Sequence, residues 1–505
     1  MTIVASDLVS FDGVQGKDNP PSGVYSTVDK DGVGKGGDIS IQAPSVFMTN
    51  GGRLNASTLG KGNAGNILVH DANSVTLSGS DTTYGYSSGL ITSTESGASG
   101  SGGGITVNTN DLQVQNGAVV NAQTLSSEKG GSVNIKANTF EASGGGQVLA
   151  SSSSSGNAGN ITLNVIDSVS LSGNDPTYAD RLTKFAVKVV PQDLGGKVVA
   201  NQSAASGLLA NTTPGSTGAG GSIFIDPNQL KLTDGASVVV DSLGSGRGGK
   251  LSIHTGSLTL DNGSSLLARS NSAFGGNIDL TVPSLLLMRH KSNISANAGI
   301  AGGGGNGGNI TINTPFLVAV PSENSDITAN ATAGNGGNVI INNNFGVYGI
   351  QSRATQTLES DITATGEVKN GNIIINTVQV DPSRGLVTLP VVPVNLTGII
   401  AQGCPANVGS RASKFVITGR GGLPPNPSQP LGDDAVLTNW ATLNPRVEHR
   451  PTSADSIKPT SAAPTPIVPA TGWVFNGKGE VALIASAPTV TPDIPWLTPT
   501  TCHPQ

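Results

Sequence analysis

Few residues in this chain combine the right type and spacing for chemistry. Asp326 and Asp361 each stand directly before an Ile-Thr-Ala triplet. Two carboxylates about 5 Å or about 9 Å apart carry out retaining or inverting glycoside hydrolysis. The same phase upstream holds Asn293 before Ile294 and Ala118 before Val119, so no line of acids extends along the repeat and turn capping is the expected role. His70 and His254 both follow a short β-patterned phrase, while His290, His449 and His503 fall elsewhere. These two histidines are far apart in the chain and are expected to share no metal. Asp81 and Asp175 occupy equivalent places in SGSDTTYG and SGNDPTYAD, where local oxygen ligation of calcium competes with Asx-type turn capping, the favoured reading. The GGxGxDxUx nonapeptide of calcium-binding rolls is missing. No serine lies in G-x-S-x-G with placed partners, and the glycine runs lack the G-K-S/T of a phosphate loop. Cys404 and Cys502 have no nucleophile setting. The expectation is therefore no catalytic residue, no cofactor and no metal.

Composition narrows the remaining classes. Of 505 residues only 12% are charged, and the net charge is −6 with lysines and arginines scattered singly. That argues against nucleic acid as a partner. No run of 18 apolar residues is present, so no transmembrane helix is expected. Two cysteines exclude a disulfide-dense scaffold, and the 70 glycines do not recur strictly every third position as in collagen.

What must position any site is a repeat. One phrase, two small residues, a polar residue and then alternating apolar and polar residues, reads GGDISI, AGNILV, GGGITV, GGSVNI, AGNITL, GGSIFI, GGKLSI, GGNIDL, GGNITI, GGNVII and NGNIII. Its second glycine falls at Gly37, Gly65, Gly103, Gly131, Gly159, Gly221, Gly249, Gly276, Gly308, Gly337 and Gly371, most often 28 residues apart. A fixed period of this size marks a solenoid. Each unit adds two more short apolar pieces. After Ile105 to Asn108 come Leu112 to Gln115 and Val119 to Gln123, with an Asn-Gly turn signal between the last two. Helix caps around a 3.6-residue apolar period are absent from the repeat.

Three short strands per unit predict an all-β fold, a right-handed parallel β-helix over residues 1–380. In it Ile105, Val133 and Ile161 stack as an aliphatic ladder. The 334 residues from Gly37 to Gly371, at 28 per coil, predict about 12 coils and a stretch of roughly 50–60 Å.

Two inserts interrupt the rhythm, near 74–93 and 168–212. Both leave through V-x-L-S-G and return through a small residue, Gly and Leu. The interval from Gly159 to Gly221 is read as one unit with an insert, whose FAVKVVPQDLGGKVV core predicts a protruding hairpin. The opening Val9 to Thr27 repeats the departure and return. Met1 thus stands just before a mid-solenoid unit, without a secretory signal, and the chain is expected to be the C-terminal part of a longer protein. Beyond the helix, 381–451 is rich in proline and glycine and 452–469 reads as a linker. A terminal module at 470–505 contains a hairpin of WVFN and EVALIA.

The GGNITIN and LxVxxGAxVxAxT phrases, the wording around Gly102 to Thr124, and the tail SKFVITGRGGLPPNP followed by GWVFNGKGEVALIA resemble one family. It is that of the filamentous-haemagglutinin-like, two-partner-secreted large exoproteins of cyanobacterial type. The resemblance implies an adhesin-like surface or secreted protein without enzymatic activity, an outer-membrane two-partner transporter for the full-length form, and a glycan or cell-surface ligand. It also implies an extracellular or cell-surface location, although this chain as written carries no export signal. For an exported chain, a disulfide between Cys404 and Cys502 around the terminal module is one reading, and two isolated thiols the other. The alternatives to adhesion are a polysaccharide-active β-helix lyase or hydrolase, and a passive matrix component.

Overall fold

A computed structural model of the chain describes residues 1–14, 20–185, 199–300, 302–343, 345–377, 472–475 and 481–484. The chain divides into two units, Met1–Arg384 and Gly385–Gln505. The first is a parallel β-helix. In its fourth coil the strand Ile105–Gln115 runs through a bend without interruption, turns at Asn116 and Gly117, and continues as the short strand Val119–Asn121. The first two predicted pieces are thus one strand here, whereas in the seventh coil Ser222–Asp226 and Gln229–Thr233 are separate. Stacking these coils forms a 19-stranded and a 12-stranded sheet, both parallel.

The predicted ladder holds, since Val133 is in register with both Ile105 and Ile161. Along the strands, buried Ile, Val and Leu alternate with outward polar residues, and the inward side chains form one continuous core. Each such side chain is worth about 1.5–3 kcal/mol in burial. A second, polar ladder runs inside the coil, in which bridges link Thr94 to Thr124, Thr124 to Ser152 and Thr212 to Ser242. Their hydroxyls bond along the axis, with Thr212 Oγ1 and Ser242 Oγ 3.1 Å apart. The glycine phrase marks the corner where backbones pass closest. A Cβ on Gly131 would lie 1.9 Å from the carbonyl oxygen of Gly103, so only glycine fits this stack.

Each glycine phrase opens one coil. Ten coil rises therefore separate Gly37 from Gly371, about 48 Å at about 4.8 Å each, instead of the predicted twelve. The division by 28 overcounts because inserts add residues without adding rise. Both inserts, now bounded as 79–88 and 173–206, leave between the long and the short strand, as does 13–22 in the first coil. The second insert also corrects the expected hairpin at its near end. Tyr178–Phe185 is an α-helix, so Phe185 ends a helix instead of starting a strand. Tyr178, Arg181 and Phe185 share a face of that helix, and Asp175 caps its approach by accepting from Thr177 N at 2.8 Å. Residues 186–198, the rest of the expected hairpin, lie outside the described residues.

In the second unit, Gly472–Phe475 and Val481–Ile484 pair antiparallel, the hairpin expected from WVFN and EVALIA. Cys404, Cys502, His449 and His503 lie outside the described residues, as do the segments 381–451 and 452–469.

Candidate functional site

Two features stand out from the plain stack. One is a clasp made by the inserts at the corner between the long and short strands. Each insert starts with an antiparallel bridge, Val14 with Pro21, Ser80 with Ser87 and Asn174 with Ala205. The return serines repeat one geometry. Ser88 Oγ donates to Ser78 O at 2.9 Å and accepts from Gly51 N at 2.9 Å, while Ser206 Oγ donates to Ser172 O at 2.7 Å and accepts from Gly145 N at 2.8 Å. The following glycine is required at each return, because a Cβ on Gly89 would stand 2.0 Å from Val119 O and one on Gly207 2.3 Å from Ser237 O.

The second insert reaches back over the fourth and fifth coils to meet the first. Ser87 Oγ donates to Asn201 Oδ1 at 3.0 Å, and Asn201 Nδ2 donates to Gly145 O at 3.0 Å. Tyr86, Phe185 and Val199 form a small buried cluster between them. Two arginines are sealed inside. Arg181 pairs with Asp175, their side chains 6% and 5% exposed. Burial works against the Asp175 charge, but hydrogen bonds from Thr177 and Arg181 outweigh it and hold its pKa below the usual carboxylate value. Arg53 donates to Ser87 O at 2.7 Å and lies 4.8 Å from the centre of the Tyr86 ring. Burial lowers the Arg53 pKa, and burial also pushes that of Tyr25 beside it up to about 12. Asp81 and Asp175, the calcium candidates, serve here as turn caps, with Asp81 accepting from Tyr84 N.

The other feature is a groove at the bend in the middle of the long strands. Two troughs of about 690 and 460 Å³, both touching Asn164 and the protruding Ile166, follow one another as a groove along the axis. It crosses seven coils, with Asp71, Asn108, Lys136, Asn164, Asp226 and His254 on successive rungs and Thr281 on the seventh. At about 4.8 Å per rise it is about 29 Å long. β-Bulges shape its wall. Ile166 and Asp167 together oppose Asn138, and the extra residue throws Ile166 outward, 69% exposed. His70 and Asp71 likewise oppose Asn108 in the register between the third and fourth coils, with Asp71 at φ 54°.

His70 and His254 do share a phase and lie five coils apart, about 24 Å. His70 Nδ1 is 3.0 Å from Asp71, and His254 packs edge-on against Phe224 at 5.4 Å. Past Thr281 the bend carries aromatic rings. Phe316 and Phe345, 37% and 58% exposed, stack at 4.9 Å and 18°. Phe345 N is bonded to Pro315 O, which ties the pair to the bend.

Asp326 and Asp361 are adjacent on neighbouring coils, with Asp361 N donating to Asp326 Oδ1 at 2.9 Å. The phase, however, equates Asp326 with Asn293 and, further up, with Val119 in place of Ala118. Their pKa values move apart. Burial raises that of Asp326, whereas Asp361 is lowered because hydrogen bonds from Arg353 and Thr357 overcome its burial. Arg353 bonds one Asp361 oxygen and Thr357 the other, so the buried carboxylate holds the 353–360 loop in place.

His290 belongs to a corner cluster that sequence spacing does not reveal, 2.7 Å from Asp261 and 3.2 Å from Glu323. The groove was likewise missed. Its signal is a six-residue step from Val69 to Val75 and from Leu163 to Val169, where Val107 to Leu112 takes five. No family model matches the chain, nor does any curated protein or solved structure.

Proposed function

We propose that this chain is the shaft region of an adhesin-like, non-enzymatic exoprotein of the filamentous-haemagglutinin-like, two-partner-secreted type. It works outside the cell or at its surface, and the full-length form leaves through an outer-membrane transporter. The observation that carries the reading is the outward polar ladder over a stacked apolar core. Asn376 Nδ2 donates to Asn342 Oδ1 at 2.8 Å, and Asn342 Nδ2 donates to Asn313 Oδ1 at 2.8 Å. Over these three coils the array repeats one amide at each rise, and the same phase on earlier coils carries other polar groups, which suits repeated, multivalent contact with cells, glycans or other surfaces. Sparse charge lets such contact proceed without strong salt dependence.

The test is attachment. Beads coated with the purified chain are expected to adhere to cells of the source strain and to polysaccharide-coated glass, while reducing-sugar release from soluble polysaccharides stays at background. Deletion of the gene should reduce adhesion of whole cells, and protease treatment of intact cells should remove the protein. Beads that adhere no better than albumin-coated ones would overturn the proposal, and so would release of reducing ends.

A further inference from the structure

We propose that the axial groove and the aromatic pair at its end form one binding site for a neutral, unbranched glycan chain lying along the β-helix axis. This rests on the attachment reading above and names what the protein grasps. Three observations select the ligand.

The first is the kind of group on offer. Strands from the third to the ninth coil already use their backbone N–H and C=O groups to bond neighbouring coils. A chain lying along the axis therefore meets side chains, and cannot add itself as a further strand in the way a peptide joins a sheet edge. Those side chains are amides, hydroxyls, one imidazole and isolated charges of both signs, with Lys136 between Asp71 and Asp226. Such a mixture pairs with hydroxyls and gives no net field to hold a polyanion.

The second observation is the rise. One coil advances about 4.8 Å, close to the length of one sugar in an extended β-linked chain. Successive sugars therefore fall close to successive rungs, with alternate rings turned over about the chain. The third is the apolar surface. Sugar rings have C–H faces as well as hydroxyl edges, and Ile166 and the stacked Phe316 and Phe345 present flat apolar area to solvent beside the polar rungs.

The test uses the full chain and calorimetric titration with cellohexaose, cellobiose, polygalacturonate and an unfolded polypeptide, reduced carboxymethylated casein. Cellohexaose is expected to bind, and cellobiose at least about tenfold more weakly because it spans fewer rungs. The double variant Asp226→Ala/His254→Ala and the single variant Phe345→Ala should each weaken cellohexaose by about tenfold, the loss of one or two strong contacts. All three positions are exposed, so melting curves should match the parent. Glu323→Gln, away from the groove, should bind normally.

No binding of cellohexaose, equal binding by the groove variants, or preference for polygalacturonate or casein would each overturn the assignment. Failure of the attachment reading shows differently. In that case the beads do not adhere to cells or coated glass, while cellohexaose still binds and the groove variants still weaken it.

Discussion

In the first six coils, three corners open into inserts. In coils seven to nine the same corner is a two-residue left-handed turn. Asp234 and Gly235 have φ of 56° and 80°, Asn262 and Gly263 48° and 73°, and His290 and Lys291 45° and 63°. The aliphatic ladder is common to both regions, yet the front region adds contacts between coils that are not neighbours. In a plain solenoid each coil touches only the next, so stability is a sum of local terms and opening spreads from any weak point. An insert that reaches from the sixth coil to the third changes that rule, because the coils between cannot open without breaking the clasp.

The sharpest way to break this comparison is to make the same hole in both regions. Ile135 in the fifth coil and Ile253 in the eighth are fully buried. Each change to Ala should cost about 4 kcal/mol, measured by urea unfolding. Hydrogen exchange should separate them. Ile253→Ala is expected to expose amides of coils seven to nine alone, whereas Ile135→Ala should raise exchange from the second to the sixth coil together. Matching local footprints for the two variants would mean that the clasp couples nothing.

A smaller effect follows from opening the clasp itself. Arg181→Met leaves Asp175 buried without its cation, which should cost about 3 kcal/mol. The variant should also increase proteolysis within 79–88 and 199–206 in step, because Ser87 and Asn201 hold those segments together. Coils seven to eleven should keep their protection. A variant that loosens only the second insert would show that the first stands alone.

How much of this was legible depended on whether a feature repeats. Ile105, Val133 and Ile161 share a phase that the glycine phrase sets, so their stacking followed from counting. The inserts were visible for the same reason, as departures from 28 with a shared Ser-Gly-Leu return, and the glycine in that return has a steric cause. Features that occur once were hidden. The helix Tyr178–Phe185 has eight residues and no repeat partner, and its apolar positions ran into a β-like FAVKVV. Arg53 and Arg181 looked like scattered surface charges because the aromatic ring and the carboxylate that accommodate them lie 33 and six residues away. The groove depends on single-residue bulges, which leave the apolar alternation intact on both sides and so barely disturb the pattern.

The plain region has its own link between coils, and its weakness sharpens the contrast. At the corner of the ninth coil, Arg289 Nε and Nη2 donate to the two Glu323 oxygens at 2.6 and 2.7 Å, and His290 N donates at 3.0 Å. The Arg289 hydrogen bonds hold the Glu323 pKa down to about 2, against the opposing effect of burial. A carboxylate whose folded pKa lies below its ordinary 4.5 stabilises the fold above 4.5 and loses that contribution as pH falls toward about 2. The Arg289 and Glu323 side chains are 35% and 15% exposed, so solvent screening keeps the contribution small. Glu323→Gln should therefore be slightly less stable than the parent at neutral pH, with the gap closing through that acid range, as urea unfolding at a series of pH values would report. The sealed Arg181 and Asp175 pair should give a larger gap under the same titration, because its carboxylate is also held low but lies out of reach of solvent. A gap for Glu323→Gln that ignores pH would assign its effect to packing. A gap as large as that of the clasp pair would erase the difference between a corner tied by neighbours and one tied across several coils.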